Sequence, residues 1–461
     1  MRSAMIVKSL LYIILLSGLS SCSLMAQYID QVEEITAGNF FGYGARQMGM
    51  GGAGMMSFDG SALFYNPANL ARIPRIEASL GLSHQEYTDK SSVREVRRIV
   101  DYTGVSPTEQ TFQDRFAGFE SVFGNAEDSK SNTRLNSAIL TVPYPTYRGS
   151  LVFGFGVANV ANFDRVFTLS HSDSASPGNR ITARGNEFQT GGLTQWGAGA
   201  GIDLSPRIAF GLSLFIYTGK HDYNWRYRLD SLPDLQYGQE DYITDKYFGW
   251  NFKPSLAIQM NQYLSMALAF ETPLTMSVKE DISTTYDGDP SIYVDEVEYD
   301  IRRPFVFSGG MALSFNEATL ALDIDYTDWT QMEYKNNIFM ERYNDEIEAY
   351  YDKVFRYRIG GEYVFPKLGL SLRGGYFVDP LPVKKQFIDD DRNGFSLGFG
   401  ILIDRVMTID VAWVRSGYNR NSDFIYASTY DAGDELTASH NLIVDEDISY
   451  DRIYVTSAYR F

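Results

Sequence analysis

The feature that most constrains this chain is the rhythm of its connections. From residue 76 onward, segments of alternating apolar and polar residues are joined in turn by a short link and a long one. The short links lie at 145–148, 204–207, 260–263, 315–317, 365–367 and 404–405. The long ones lie at 87–134, 164–186, 220–242, 279–293, 332–352, 380–393 and 419–448. A soluble β-sandwich has no reason to alternate so regularly. An antiparallel barrel in a membrane does, because its turns are short on one side and its loops long on the other.

The segments that read as strands are 76–86, 135–144, 150–162, 187–204, 207–219, 243–259, 263–278, 294–314, 317–331, 353–365, 367–379, 394–404, 406–418 and 449–461. That makes about fourteen, an even number, as single-chain bacterial barrels have. Residues 92–101 within the first long link suit a helix. Inside the strands the faces separate cleanly. Leu320, Leu322 and Ile324 oppose Ala321, Asp323 and Asp325, and Phe355, Tyr357 and Ile359 oppose Arg356 and Arg358. In a period-two element one set faces lipid and the other the lumen. Placing Arg356 toward mid-bilayer lipid would cost about 2–4 kcal/mol, which sets the register. The expected fold is therefore all-β, a transmembrane antiparallel barrel over 75–461.

Composition agrees. Aromatics are 15% of residues, with 32 Tyr and 30 Phe, and such residues form the girdles of membrane barrels. The net charge of −18 argues against nucleic acid as a partner. Acidic external loops could instead meet the divalent cations among outer-membrane lipids. The chain ends on Phe461, with Tyr459 on the same face, an ending that resembles the signal read by the barrel assembly machinery.

Residues 1–26 read as an export signal: Arg2 and Lys8, an apolar run at 10–16, then small residues. The single cysteine, Cys22, lies within it. Cleavage before a lipidated Cys22 and cleavage after Ala26 both fit. The destination is the bacterial outer membrane.

Between the leader and the strands lies a compact stretch, 44–71, too rich in Gly, Ala and Met for a strand and without a helical stripe. It carries Gly44-Ala45-Arg46, Met48-Gly49-Met50-Gly51-Gly52-Ala53-Gly54 and Tyr65-Asn66-Pro67-Ala68, with Leu70. Further on, Asp379-Pro380 and Pro382 precede Asp391-Arg392 and a Ser-Leu-Gly-Phe-Gly strand. These motifs resemble the FadL family of outer-membrane transporters of hydrophobic compounds. The resemblance implies a 14-stranded barrel blocked by an N-terminal hatch, here 27–74, with Gly51, Gly52, Gly54, Asn66, Pro67 and Ala68 as hatch residues. It also implies uptake of long-chain fatty acids or other apolar molecules, captured by external loops and released sideways beside a distorted third strand. Phe153-Gly154-Phe155-Gly156 in the third segment mark the candidate opening; equally, those glycines could simply make room for the hatch.

The remaining signals are bland beside these. Gly49–Gly54 matches a dinucleotide fingerprint but follows no buried strand. Asp389-Asp390-Asp391-Arg392-Asn393-Gly394 resembles half a calcium loop, yet Gly400 stands where the closing Glu belongs, so no metal site is assigned. His84, His171, His221 and His440 are scattered, and no nucleophile motif is present. The expectation is no enzyme and no cofactor. The inward charges Arg356, Arg358, Arg373, Asp323 and Asp325 could hold a ligand head group or could form an ion network that holds barrel and hatch. The expected function is passive uptake of hydrophobic small molecules. The alternative is a FadL-like barrel docking to type IX secretion components.

Overall fold

Fourteen antiparallel strands close on themselves. The computed structural model describes residues 42–100, 108–111, 126–176, 179–231, 235–286, 289–382, 384, 391–430 and 436–461. The leader, Cys22 and the first part of the expected hatch (27–41) lie outside the described residues.

The strands follow chain order around the wall: β1 (Glu77–Val100), β2 (Ala126–Tyr144), β3 (Leu151–Asn162, resumed as Arg165–Ser176), β4 (Asn179–Ser205), β5 (Ile208–Ser231) and β6 (Leu235–Gln259). Then come β7 (Leu264–Glu271, resumed as Leu274–Tyr286), β8 (Asp289–Arg303, resumed as Val306–Phe315) and β9 (Ala318–Asp328). The last five are β10 (Lys353–Phe365), β11 (Leu370–Val378), β12 (Asn393–Ile403), β13 (Met407–Tyr430) and β14 (Leu436–Arg460). The ring shuts where β1 meets β14, from Glu77 opposite Arg460 to Val100 opposite Ala438. Phe461 N–H donates to the Ile76 carbonyl (2.9 Å) just beyond that ladder. The short links are tight turns; in one, the three residues 404–406 reverse the chain, with Asp404 and Arg405 both at positive φ (49° and 59°).

Three sequence expectations need correction. Residues 92–100 are strand, not helix; they pair with β14. The stretches 220–242 and 419–448, read as loops, are largely paired hairpin arms, β5 against β6 and β13 against β14. The same holds for 164–186 and 279–293. Apolar alternation ends where the bilayer ends, whereas backbone pairing continues into water. Lastly, β7 and β8 are each interrupted, at Thr272-Pro273 and Pro304-Phe305. A proline supplies no N–H to a ladder, so pairing lapses there.

The chemistry of each face changes along the strand while the geometry does not. On β6 the outward row reads Phe248, Trp250 and Phe252, all exposed, but beyond it come Lys246 and Thr244. On β7 the outward row is Thr275, Ser277 and Lys279, and the inward row is Leu274, Met276 and Val278. The wall is thus apolar outside at membrane level and apolar inside above it. A wide exposed belt of Leu, Phe, Ile and Trp has no place in water and marks the bilayer.

Among the described residues, two short helices, α1 (Ala45–Gly49) and α2 (Ala62–Tyr65), and a 3-10 turn (Pro67–Arg72) precede β1. This inner segment, 42–73, touches strands all round the ring. Gly44 N–H donates to Asn136 on β2, Ala68 N–H to Ser255 on β6, Gly51 N–H to Ser396 on β12, and Ala45 N–H to Thr456 on β14. The segment therefore lies within the barrel.

Candidate functional site: the lumen and its wall

The inner segment owes its seat to close backbone approaches. Gly51 and Gly52 have φ of 69° and 80°, a region that residues with a Cβ rarely adopt. At Gly375 on β11 a Cβ would strike Gly51, and at Gly211 on β5 it would strike Pro67 and Ala68. Gly54 has Tyr65's ring against it. Asn66, fully buried, receives Ala68 N–H and donates to the Met55 carbonyl (3.0 Å), so it folds the segment on itself. The Asp323 carboxylate accepts the N–H groups of both Gly54 (2.7 Å) and Met55 (2.8 Å).

The other inward charges pair among themselves. Arg373 bridges Glu362 and Asp410, each at 2.7 Å, and Glu362 also holds Arg46 of the inner segment at 2.7 Å. Arg358 pairs with Asp325, Arg356 with Asp379, and Asp379 in turn with Arg392. Arg392, once a position in a possible calcium loop, is thereby committed; Asp389 and Asp390 lie outside the described residues. Between the inner segment and the short-turn end lies a cavity of ≈ 370 Å³ lined by Arg46, Glu77, Glu362, Arg373, Asp410 and Arg460 among others.

The opposite side of the lumen is apolar. One contiguous buried cluster runs from Met340 and Ile347, on α3 (Ile338–Glu341) and α4 (Asn344–Tyr350) at the long-loop end, past Trp329, Ile301 and Met276. It continues past Tyr247 and Phe163 to Leu193, Tyr217 and Phe64. Sequence reading missed this tract. Its signal was present in β7, where Leu274, Met276 and Val278 alternate with polar residues that now face outward; the sign of the alternation is inverted relative to membrane level. Where the tract meets the inner segment, a cavity of ≈ 90 Å³ is lined by Tyr43, Phe64, Val160, Ala161, Leu193 and Tyr217, with charged groups on its far side.

That cavity borders a lapse in the wall. β3 pairs with β2 only from Leu151 to Ala158. Beyond it, β2 residues 126–135 pair with β1 alone. β3 there pairs with β4 alone, with a register shift between Asn159 and Ala161 and an interruption at Phe163-Asp164. Side chains bridge the lapse instead. The buried Asp164 carboxylate receives Asn132 (2.7 Å), Arg134 (2.9 Å) and Lys130 (3.1 Å) from β2, and Thr190 (2.9 Å) from β4.

The sequence candidates fall as follows. Phe153 and Phe155 face outward, and Gly154 and Gly156 face inward against Leu63 and Leu70 of the inner segment. Pairing is continuous on both sides of all four, so the lapse sits a few residues further along the same strand. Arg356, Arg358, Arg373 and Asp325 each form ion pairs around the inner segment, and Asp323 accepts from its backbone. Tyr459 and Phe461 stack edge to face (4.9 Å) on the outer surface at the short-turn end. Among the described residues no cluster of His, Cys, Asp and Glu could hold a metal ion.

No family model and no curated protein matches the chain. Solved structures do. A Pseudomonas aeruginosa FadL homologue matches at 14% identity with a TM-score of 0.58, covering 91% of this chain and 98% of that one. The P. putida toluene transporter TodX matches at 14% identity with a TM-score of 0.54, covering 92% and 99%. The Ralstonia pickettii toluene transporter TbuX matches at 13% identity with a TM-score of 0.51, covering 92% and 99%. Two of these neighbours are described as toluene transporters, and none lends support to the secretion alternative. At such identity the likeness speaks for architecture, and the chain has the FadL-type barrel fold.

Proposed function

We propose that the protein is a passive outer-membrane channel for the uptake of hydrophobic small molecules. The observation that carries this reading is the apolar tract, which leads from α3 and α4 at the long-loop end to the small cavity beside the β2–β3 lapse. A polar lumen would reject such molecules; each CH₂ buried along the tract gains about 0.8 kcal/mol. The inner segment (the hatch) blocks a straight passage to the short-turn end. The ligand's way out is sideways, past Val160 and Ala161 through the lapse, directly into hydrocarbon rather than back into water. Nothing in this path needs an energy source if binding is reversible.

The test is uptake of labelled toluene, a long alkane and a long-chain fatty acid by cells with and without the protein. A parallel strain carries Met276→Asp, which puts a charge in the middle of the tract. The expected result is protein-dependent uptake of at least one compound, lowered about tenfold or more by the variant because an unpaired buried charge is so costly. Equal uptake with and without folded barrel at the surface would overturn the proposal.

A further inference from the structure

The outer face of the wall carries a charge pattern that passage through the lumen does not use. On four adjacent strands, the first outward charge met on leaving the apolar belt toward the long-loop end is basic. On β5 it is Lys220, beyond Leu214 and Ile216; on β6 it is Lys246, beyond Trp250 and Phe248. On β7 it is Lys279, beyond Thr275 and Ser277, and on β8 it is Arg302, beyond Phe307.

The three lysines form one transverse row. Lys246 stands opposite Lys220 in one ladder and opposite Lys279 in the other. Their side chains are 56%, 58% and 60% exposed. Like charges directly opposite one another destabilise a sheet, so the row costs the wall stability until anions lie across it. Each lysine has a carboxylate partner: Asp222 for Lys220 (2.8 Å), Asp281 for Lys246 (3.0 Å) and Glu298 for Lys279. An ammonium carries three donors, so one such partner does not exhaust it. Asp222 and Asp281 stand one outward row further from the belt. From the bilayer outward the surface is therefore apolar, then basic, then acidic.

We propose that this face of β5 to β8 docks a phosphorylated glycolipid of the outer leaflet. Its acyl chains lie against Leu214, Ile216, Phe248 and Trp250, and its phosphates lie across Lys220, Lys246 and Lys279. Basic clusters at a membrane boundary bind anionic lipid head groups in this way. The row spans two strand spacings, about 10 Å, which suits a head group with more than one phosphate over a single phosphodiester. The docking concerns the outer surface and is independent of what the lumen carries.

The experiment takes the full chain, stripped of lipid in mild detergent, and counts bound copies by native mass spectrometry. The protein is titrated with purified lipopolysaccharide and, separately, with phosphatidylglycerol. Lipopolysaccharide is expected to bind the tighter of the two. Lys220→Gln, Lys246→Gln and Lys279→Gln together should weaken it about tenfold or more, and Lys246→Gln alone about threefold. The same three lysines changed to Arg should keep binding within about twofold. The control combines Lys353→Gln and Arg415→Gln, exposed cations on β10 and β13, and should also stay within about twofold. Heat-dependent gel mobility shows that each barrel is folded. Lipopolysaccharide binding unchanged by the triple Gln variant, or lowered as much by the control, would overturn the proposal. So would phosphatidylglycerol bound as tightly as lipopolysaccharide, or no lipopolysaccharide bound by the unaltered protein.

Discussion

The two sides of the lumen solve opposite problems. Along β10 to β14 the inward residues are charged and committed: Arg373, Glu362 and Asp410 form one chain, and Arg356, Asp379 and Arg392 another. Along β5 to β9 the inward rows also carry charges, Asp245, Glu280 and Asp323 among them, but an apolar tract runs between these and ends on a small cavity beside the inner segment. The first side holds the inner segment by groups that satisfy one another. The second offers surface that nothing in the chain itself uses up. In such a barrel the side rich in charge is the mount, and the side poor in charge is the passage.

The largest test of that division removes the room on which the mount depends. Gly375→Val on β11 would drive a side chain into Gly51, and Gly211→Val on β5 would drive one into Pro67 and Ala68. Backbone cannot yield as a flexible side chain can, and overpacking of this kind costs about 1–3 kcal/mol or more. Each variant should unseat the inner segment and raise ionic conductance in planar bilayers about tenfold or more over the closed wild type, on the effective-rate scale that such an energy implies. If only Gly375→Val opened the pore, the mount would lie on the charged side alone. If neither did, the inner segment would not be what blocks the barrel.

A smaller effect separates stability from passage. Arg373→Met leaves Glu362 with Arg46 alone and takes the Arg373 guanidinium from Asp410. Breaking a buried pair from one side costs about 3–5 kcal/mol, so the heat-induced unfolding of the barrel, followed by gel mobility, should shift to clearly lower temperature. Uptake by cells grown well below that transition should change little. A large loss of uptake in a still-folded barrel would place the passage on the charged side and collapse the distinction.

Much of this was legible in the sequence because a membrane barrel writes its rules on every strand. The period-two faces of 317–331 and 353–365 and the alternation of short and long links gave strand order, wall direction and the side on which Asp323 and Arg356 point. What escaped was the part that lies in water. There Ile243, Met276 and Val278 face inward behind Lys246, Ser277 and Lys279, so the same periodicity carries the opposite sign, and the inward apolar tract within these expected strands went unread. The lapse in β3 escaped for another reason. Phe153 to Gly156 carry the visible glycines, but those glycines admit Leu63 and Leu70. The break falls at Asn159 to Asp164, where the decisive fact is a missing partner on β2, and no single segment of sequence records which of its neighbours it fails to pair with.

The smallest expected effect concerns that break. The Asp164 carboxylate gathers Asn132, Arg134, Lys130 and Thr190 across a stretch where β2 and β3 share no backbone ladder. Asp164→Asn keeps the side chain's size and one acceptor but leaves Arg134 and Lys130 without their counter-charge. The bridge should loosen without the wall unravelling, because β3 remains paired to β4 on its other edge. If sideways exit limits uptake, the initial rate should rise about two- to fivefold, the size of effect expected from one weakened charged bridge that is partly replaced. Asp451→Asn serves as the control: it breaks an exposed pair with Arg415 at 3.4 Å, of a kind that contributes about 1 kcal/mol or less, and should leave uptake alone. A fall in uptake with Asp164→Asn would make the bridge a support for the passage rather than its latch. No change at all would mean that ligand leaves the tract by another route, and the apolar side would then end in a pocket instead of a door.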